Sequence, residues 1–292
     1  MTGLLCVGDI AVDVTITLAD GLAIGSDTDG TITLHGGGSA ANVAAWAAPG
    51  VPTRFVGAVG VDALGDFLVD ELAGHGVDVQ ALRRADATSR AVAAIVGADG
   101  NRSLVSDLAG GVAPTLADYD AGWFTDVAWL HLTAYTYIAD AGNSLFRHLT
   151  TEASLRGVAF SIDPSAAHLL QATCDRDDVL DAFSGAAVLS PSHDEAEYLA
   201  GVGDPRAAAE HLLDVAECVA VTCGPAGVEV AVRGADSFHV DAVGGDIVNT
   251  LGCGDAFAGG FIAARVNGHD IRRATEAGVA TAARAAALTS AR

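Results

Sequence analysis

The stretch that decides the fold runs from residue 127 to residue 222. It opens on Val127-Ala128-Trp129-Leu130-His131-Leu132, returns at Val158-Ala159-Phe160-Ser161-Ile162 and at Ala187-Val188-Leu189, and closes on Val219-Ala220-Val221-Thr222. Each is a short, mainly apolar run of the kind a strand shows when both its faces are buried. Segments with helical apolar spacing, such as 194–200 and 206–215, lie between them. Strands alternating with helices imply βαβ units and a parallel sheet covered by helices on both faces.

Working outward, residues 4–7 form another short apolar run that ends in Gly8-Asp9, as a buried strand leaving a sheet would. Residues 12–18, 31–35, 91–96 and 103–105 behave differently. They alternate apolar and polar side chains, and the last two are joined by the turn Ala98-Asp99-Gly100-Asn101. These four segments predict a small antiparallel sheet with one wet face. Residues 40–48, 64–75, 255–265 and 271–288 have helical spacing, the last two rich in Ala. Because the wet strands are interleaved with the first βα units, they form a lid grown from one domain. The expected architecture is a single α/β domain over 1–292, a three-layer parallel-sheet sandwich, with lid strands inserted at about 12–35 and 88–107.

Composition agrees with a packed body. Hydrophobic residues make up 51% of the 292 and charged residues 18%, which excludes a disordered acidic chain. Fifteen basic residues stand against 37 acidic ones, for a formal net charge of −22, and all fifteen are Arg. With no basic run to overcome that charge, neither nucleic acid nor an anionic membrane is an expected partner. The absence of Lys also removes a Schiff base, a P-loop Lys and a Lys–Glu kinase pair. The five cysteines are scattered and odd in number, which argues against a disulfide framework or a zinc site and for a reducing cytoplasm. The first residues have no basic region and carry Asp9 and Asp13, so they do not read as a signal peptide. No apolar run reaches the roughly 18 residues of a membrane span.

Two glycine strings carry chemistry. In Asn249-Thr250-Leu251-Gly252-Cys253-Gly254-Asp255-Ala256-Phe257, two glycines one residue apart precede an Asp that opens an apolar helix. Free N–H groups at such a helix start make an anion site, and the carboxylate beside it can take a proton from an attacking hydroxyl. The same string also fits a plain turn with Asp255 as helix cap. In His35-Gly36-Gly37-Gly38-Ser39-Ala40-Ala41-Asn42, the glycines allow close backbone approach to a ligand, and Asn42 offers donor and acceptor on the first helical turn. A flexible turn before an Ala-rich helix explains that string equally well. It lacks the G-x-G-x-x-G spacing of a dinucleotide site.

Taken together and in order, these strings resemble the ribokinase-like (PfkB) carbohydrate kinase family along nearly the whole chain. The resemblance rests on Gly8-Asp9 with Asp13, on Gly37, Gly38 and Asn42, and on Gly57-Ala58-Val59-Gly60-Val61-Asp62-Ala63-Leu64-Gly65. It continues through Thr222-Cys223-Gly224-Pro225-Ala226-Gly227 and ends on the Asn249–Asp255 stretch. It implies a ribokinase-like fold and transfer of a phosphoryl group from ATP with Mg²⁺. By the same resemblance Asp13, Gly37, Gly38 and Asn42 would hold sugar hydroxyls, and Asp255 would be the general base. Gly252, Cys253 and Gly254 would form the anion hole, and Thr222, Gly224 and Gly227 would lie along the nucleotide. Glu195 would reach the metal through water.

Three departures stand out. The family's Asn-x-x-Glu appears as Ser192-His193-Asp194-Glu195, which keeps the Glu and alters the metal network. Asn249 stands where many members carry an Asp that contributes to a monovalent-cation site, so K⁺ dependence is left open. Cys253 replaces Ala in the anion hole; it reads as a small buried hydrophobe, or as a reactive thiol if exposed. Other candidates weigh less. His131, His148, His168 and His211 lack metal-ligand spacing; Asp163-Pro164 at a strand end could reach a site, although a turn explains it as well; Arg90 and Arg102 on the lid could contact substrate, although a solvent-facing position is the favoured reading.

The leading functional expectation is an ATP-dependent kinase acting on the hydroxymethyl group of a sugar or nucleoside, such as a ribose-like sugar or a pseudouridine-type nucleoside. Phosphosugars are disfavoured because the lid and loops offer few fixed cations. A homologue that binds sugar or nucleotide without turnover is the contrasting class. A nicotinamide dehydrogenase lacks its glycine fingerprint. The lid's open edge would gain from covering, which leaves a homodimer through the lid as one arrangement.

Overall fold

The computed structural model describes residues 2–80, 82–85, 87–97, 102–107, 113–139, 144–165, 167–245 and 247–292. The expected turn at 98–101 lies outside the described residues. The chain begins with β1 (Gly3–Val7), β2 (Ala11–Leu18), β3 (Gly30–Gly37), α1 (Ser39–Ala47), β4 (Thr53–Val56), β5 (Ala58–Gly60) and α2 (Ala63–Gly74). Strands β6 (Arg83–Ala85), β7 (Ala91–Val96) and β8 (Arg102–Ser106) complete this part. The alternating region follows as β9 (Val127–Thr133), α3 (Ala134–Ala139), α4 (Ser144–Arg156), β10 (Ala159–Asp163), α5 (Ala167–Thr173) and α6 (Arg176–Phe183). It continues through β11 (Val188–Leu189), α7 (His193–Ala200), α8 (Pro205–His211) and β12 (Cys218–Thr222). The last elements are β13 (Val228–Val232), β14 (Phe238–Val240), α9 (Cys253–Val266) and α10 (Ile271–Ala286).

Among the described residues eight strands form one sheet in the order β14-β13-β12-β11-β10-β9-β1-β4. From β4 to β12 neighbouring strands pair in parallel. Strands β13 and β14 turn back antiparallel at the edge, an addition the sequence pattern did not foresee. Period-2 side-chain alternation divides two cores between the faces. Leu5 and Val7, Leu130 and Leu132, and Val219 and Val221 pack with α3 to α8 on one face. Leu4 and Cys6, Trp129, and Cys218 and Ala220 pack with α1, α2, α9 and α10 on the other. This is the three-layer sandwich, and its buried parallel strands are the apolar runs of the sequence.

The lid sheet has the order β3-β2-β7-β8. Its two arms, β2–β3 and β7–β8, are antiparallel as expected, whereas the central β2–β7 pair runs parallel from Val12–Ala91 to Thr17–Val96. A parallel pair needs a long crossover, and here it is the whole excursion through β3, α1, β4, β5, α2 and β6. Asp62 ties that excursion down. It caps α2 by accepting from the Gly65 N–H at 2.7 Å, and it also accepts from the Ser89 N–H at 2.7 Å and the Ser89 Oγ at 2.8 Å. These donors hold its carboxyl below the usual range.

Candidate active site

The carboxyl ends of β1, β9, β10, β11 and β12 meet the N-termini of α1 and α9 beneath the lid. In open α/β sheets ligands bind at this end of the strands. A cavity of about 320 Å³ occupies the place. Its walls bring together Asp9, Asp13, Gly38 and Asn42 from the first third of the chain with Asp163, Glu195, Thr222, Gly252, Gly254 and Asp255 from the rest.

The turn from β3 into α1 builds one wall of the cavity. Asp9, just past β1, accepts from the Ser39 N–H at 2.8 Å and the Ala40 N–H at 3.2 Å, so a carboxylate satisfies the start of α1. Asp13 on β2 lies against Gly37, where a Cβ would overlap its carboxylate; only glycine lets the two come together. Burial, with Asp9 adding repulsion, pushes the Asp13 carboxyl up to about 6, although the Arg292 guanidinium pulls the other way.

Asp255 is the third residue of α9, not its cap; Gly252 holds the cap position with φ 75°. That left-handed backbone packs on Ala291, where a Cβ would clash. Both Asp255 oxygens are held: Ser39 Oγ donates to Oδ1 at 2.7 Å and Asn42 Nδ2 to Oδ2 at 2.7 Å. Burial outweighs these hydrogen bonds and, with the nearby Asp9 and Asp13 charges, raises the carboxyl to about 7. Cys253 N–H reaches Thr250 O at 3.4 Å. The N–H groups of Gly254 and Asp255 have no acceptor among the described residues, and the space over Gly254 is open. Together they form a charge-accepting helix start beside a carboxylate.

The opposite wall is acidic. Asp163 ends β10, accepts from the Ser165 N–H at 2.8 Å and Oγ at 3.0 Å, and holds Ser165 at φ 54°. Burial and the neighbouring Glu195 and Asp255 charges lift its carboxyl well above the usual range. Glu195 is raised too, chiefly by burial. Ser192, in place of the family's Asn, closes a capping box with it: the Ser192 N–H donates to Glu195 Oε2 at 2.8 Å and the Glu195 N–H to Ser192 Oγ at 3.4 Å. Two desolvated carboxylates, each raised chiefly by burial, suit a divalent cation. Among the described residues no three ligating side chains gather on one point. Glu195 and Asp163 fit an ion that takes most of its ligands from phosphate oxygens and water, the usual habit of magnesium.

Every expected site residue lies at this end of the sheet, but not all line the cavity. Thr222 does; Gly37 and Cys253 do not, Gly224 is exposed on the loop that follows Thr222, and Gly227 is buried just before β13. Asn42 faces Asp255 and is 4% exposed, so its amide is engaged within the protein. Asn249, at the cation position of the family, donates from Nδ2 to Thr289 O at 3.1 Å and accepts the Leu251 N–H at 2.9 Å. Cys253 is half-buried, with Sγ 3.9 Å from Asn249 O. Arg90 precedes β7 and borders the cavity, the less favoured of the two positions open to it; the side chain of Arg102 lies outside the described residues. His131 is buried, hydrogen-bonded through Nδ1 to Ser161 Oγ at 2.9 Å, and burial lowers it to about 3. Ser39 and Arg292 are partners the sequence reading did not assign, and Asp163, for which a turn was an equal explanation, lines the cavity. Ser39 stood inside a quoted motif, while nothing local marks Arg292.

Fold and family together make this chain a carbohydrate or nucleoside kinase. Residues 1–292 match the model of the pfkB family of carbohydrate kinases, and the chain belongs to that family. It is 25% identical over 294 residues to an ATP-dependent 6-phosphofructokinase of Thermoanaerobacterium thermosaccharolyticum, covering 96% of this chain and 86% of the relative. It is 32% identical over 249 residues to a fructokinase of Klebsiella pneumoniae, covering 81% and 79%. A putative ribokinase II of E. coli in complex with ATP and Mg²⁺ superimposes with a TM-score of 0.87 at 22% identity, covering 100% and 94%.

Proposed function

We propose that the chain transfers the γ-phosphate of ATP to the hydroxymethyl group of a neutral sugar or nucleoside, with Asp255 as general base. The observation that carries this reading is the position of Asp255. Ser39 and Asn42 fix its carboxylate at the start of α9, one residue past Gly254 and its open N–H. A group with a pKa of about 7 is suited to accept a proton at neutral pH.

The hydroxyl proton passes to Asp255 as the hydroxyl oxygen bonds to the γ-phosphorus and the bond to the β–γ bridging oxygen breaks. ADP takes the released charge. Negative charge on the equatorial oxygens meets the N–H groups of Gly254 and Asp255, which need no reorganisation to receive it. Most of the acceleration comes from holding the two reactants in line, as is general for phosphoryl transfer. Magnesium, when bound, neutralises the phosphates; Glu195 and Asp163 would hold it through water. Thr222 with the Gly224–Gly227 loop would lie along the nucleotide.

Substrate hydroxyls would donate to Asp13 and to the free lone pairs of Asp255, since ionised carboxylates are acceptors only. A wall of acceptors suits a polyol. One observation favours a second reading. Arg90 borders the cavity with no carboxylate partner among the described residues, and a phosphosugar would use such a cation. The test is ADP release from Mg·ATP over neutral sugars, nucleosides and phosphosugars. Turnover confined to phosphosugars would select the second reading, and no turnover on any acceptor would leave a binding protein.

A further inference from the structure

Arg292 lies in the wall behind the site, its side chain 1% exposed. Its Nε and Nη2 donate to the Glu71 carboxylate of α2 at 3.0 and 2.8 Å, which balances the buried charge. Its Nη1 donates to Gly37 O at 3.2 Å and to Asn42 Oδ1 at 2.9 Å. One side chain therefore spans α2, the substrate turn and the first turn of α1. The residues before it reach the other half of the site. Ala291 O accepts from Trp46 Nε1 at 2.9 Å and packs under Gly252, and Thr289 O accepts from Asn249.

A guanidinium has donors only, so the Asn42 atom facing it must be the carbonyl oxygen. The amide nitrogen is then turned toward Asp255, whose ionised carboxylate only accepts. Flipping Asn42 would set donor against donor and acceptor against acceptor. We infer that Arg292 is a positioning residue for phosphoryl transfer: by fixing the Asn42 amide it sets the carboxylate of Asp255, and by its bond to the Gly37 carbonyl it holds the turn on which Asp13 rests. The inference rests on the reading of Asp255 as the base.

A double-mutant cycle tests it. Arg292→Met is expected to lower kcat on the order of 10- to 100-fold, the scale of a misplaced reacting group. In an Asn42→Ala background the same change should lower kcat less than about 3-fold further, because the link to Asp255 is already gone, while loss of the Gly37 link, which acts through Asp13, should show in the acceptor KM. Arg292→Lys keeps the charge but cannot span three partners, so it should recover only part of the rate. Equal losses in both backgrounds, or no loss in the wild-type background, would overturn the inference. The side-chain ¹H–¹⁵N signal of Asn42 supplies a readout that needs no turnover and works in Arg292→Lys should the Met variant fail to fold. The signal should shift and broaden as the amide is freed, and an unchanged signal also counts against the inference. An inactive wild type with a shifted Asn42 signal would refute the kinase reading alone.

Discussion

Replacing Asp255 by Asn makes the buried charge visible as stability. In the free protein the carboxyl sits at about 7, against an ordinary 3.8, because burial and the charges of Asp9 and Asp13 outweigh the bonds from Ser39 and Asn42. A difference of about 3 units corresponds to at most about 4 kcal/mol at 1.36 kcal/mol per unit. Water entry and relaxation of neighbours bring the effective value to about 2 kcal/mol. The direction follows from proton binding. Between 3.8 and about 7 the folded protein keeps a proton that the unfolded chain has released, so stability is full below this window and is lost as pH rises through it. Asn has no such titration, and it fits the site: its oxygen can face Asn42 Nδ2 while its nitrogen donates to Ser39 Oγ, which turns from donor to acceptor. Without nucleotide or magnesium, Asp255→Asn should therefore melt higher than the wild type at pH 8, by roughly 3–6 °C for a domain of this size. The gap should narrow at pH 5. Thermal melts at the two pH values measure it. A gap that does not change with pH, or one that widens toward pH 5, would refute the burial argument.

Other expectations follow from the same geometry. The wild-type kcat/KM should fall as pH drops below about 7 and more steeply below about 6, where Asp13 also protonates; a flat profile from pH 5 to 8 would mean that neither group matters. Gly37→Ala sets a methyl against the Asp13 carboxylate, so the acceptor KM should rise tenfold or more while the KM for ATP holds, as separate saturation curves would reveal. Glu195→Gln should raise the magnesium concentration for half-maximal rate several-fold, and it also removes the carboxylate that raises Asp163. An unchanged magnesium titration would remove Glu195 from the metal network.

Much of this architecture was legible because it is written in local patterns. The runs at 127–132 and 219–222 became β9 and β12 nearly to the residue, since a strand buried on both faces must be apolar throughout. The lid strands were equally plain from their alternation, but the parallel β2–β7 pair was not, because register between distant strands leaves no local mark. The β13–β14 edge went unnoticed for lack of a tight hairpin signal between its strands. In the candidate site, motifs pointed to Asp255, Asn42 and the glycines. They could not show that Asp255 and Asn42 touch across 213 residues, or that Arg292 reaches back 250 residues to the same amide. Such contacts are properties of the fold, and a sequence reading finds only the ends. Arg90 borders the cavity although a solvent-facing position was the favoured reading, because a residue just ahead of a strand carries no local mark of which side it takes.

The most direct test is the rate of phosphoryl transfer by Asp255→Asn, measured on whichever acceptor the wild type turns over and accompanied by equilibrium binding of Mg·ATP. If Asp255 takes the hydroxyl proton, kcat should fall by about 10²- to 10⁴-fold while Mg·ATP binding stays near the wild-type value. A variant that keeps the wild-type rate would contradict the assignment of the base, and with it the proposed mechanism.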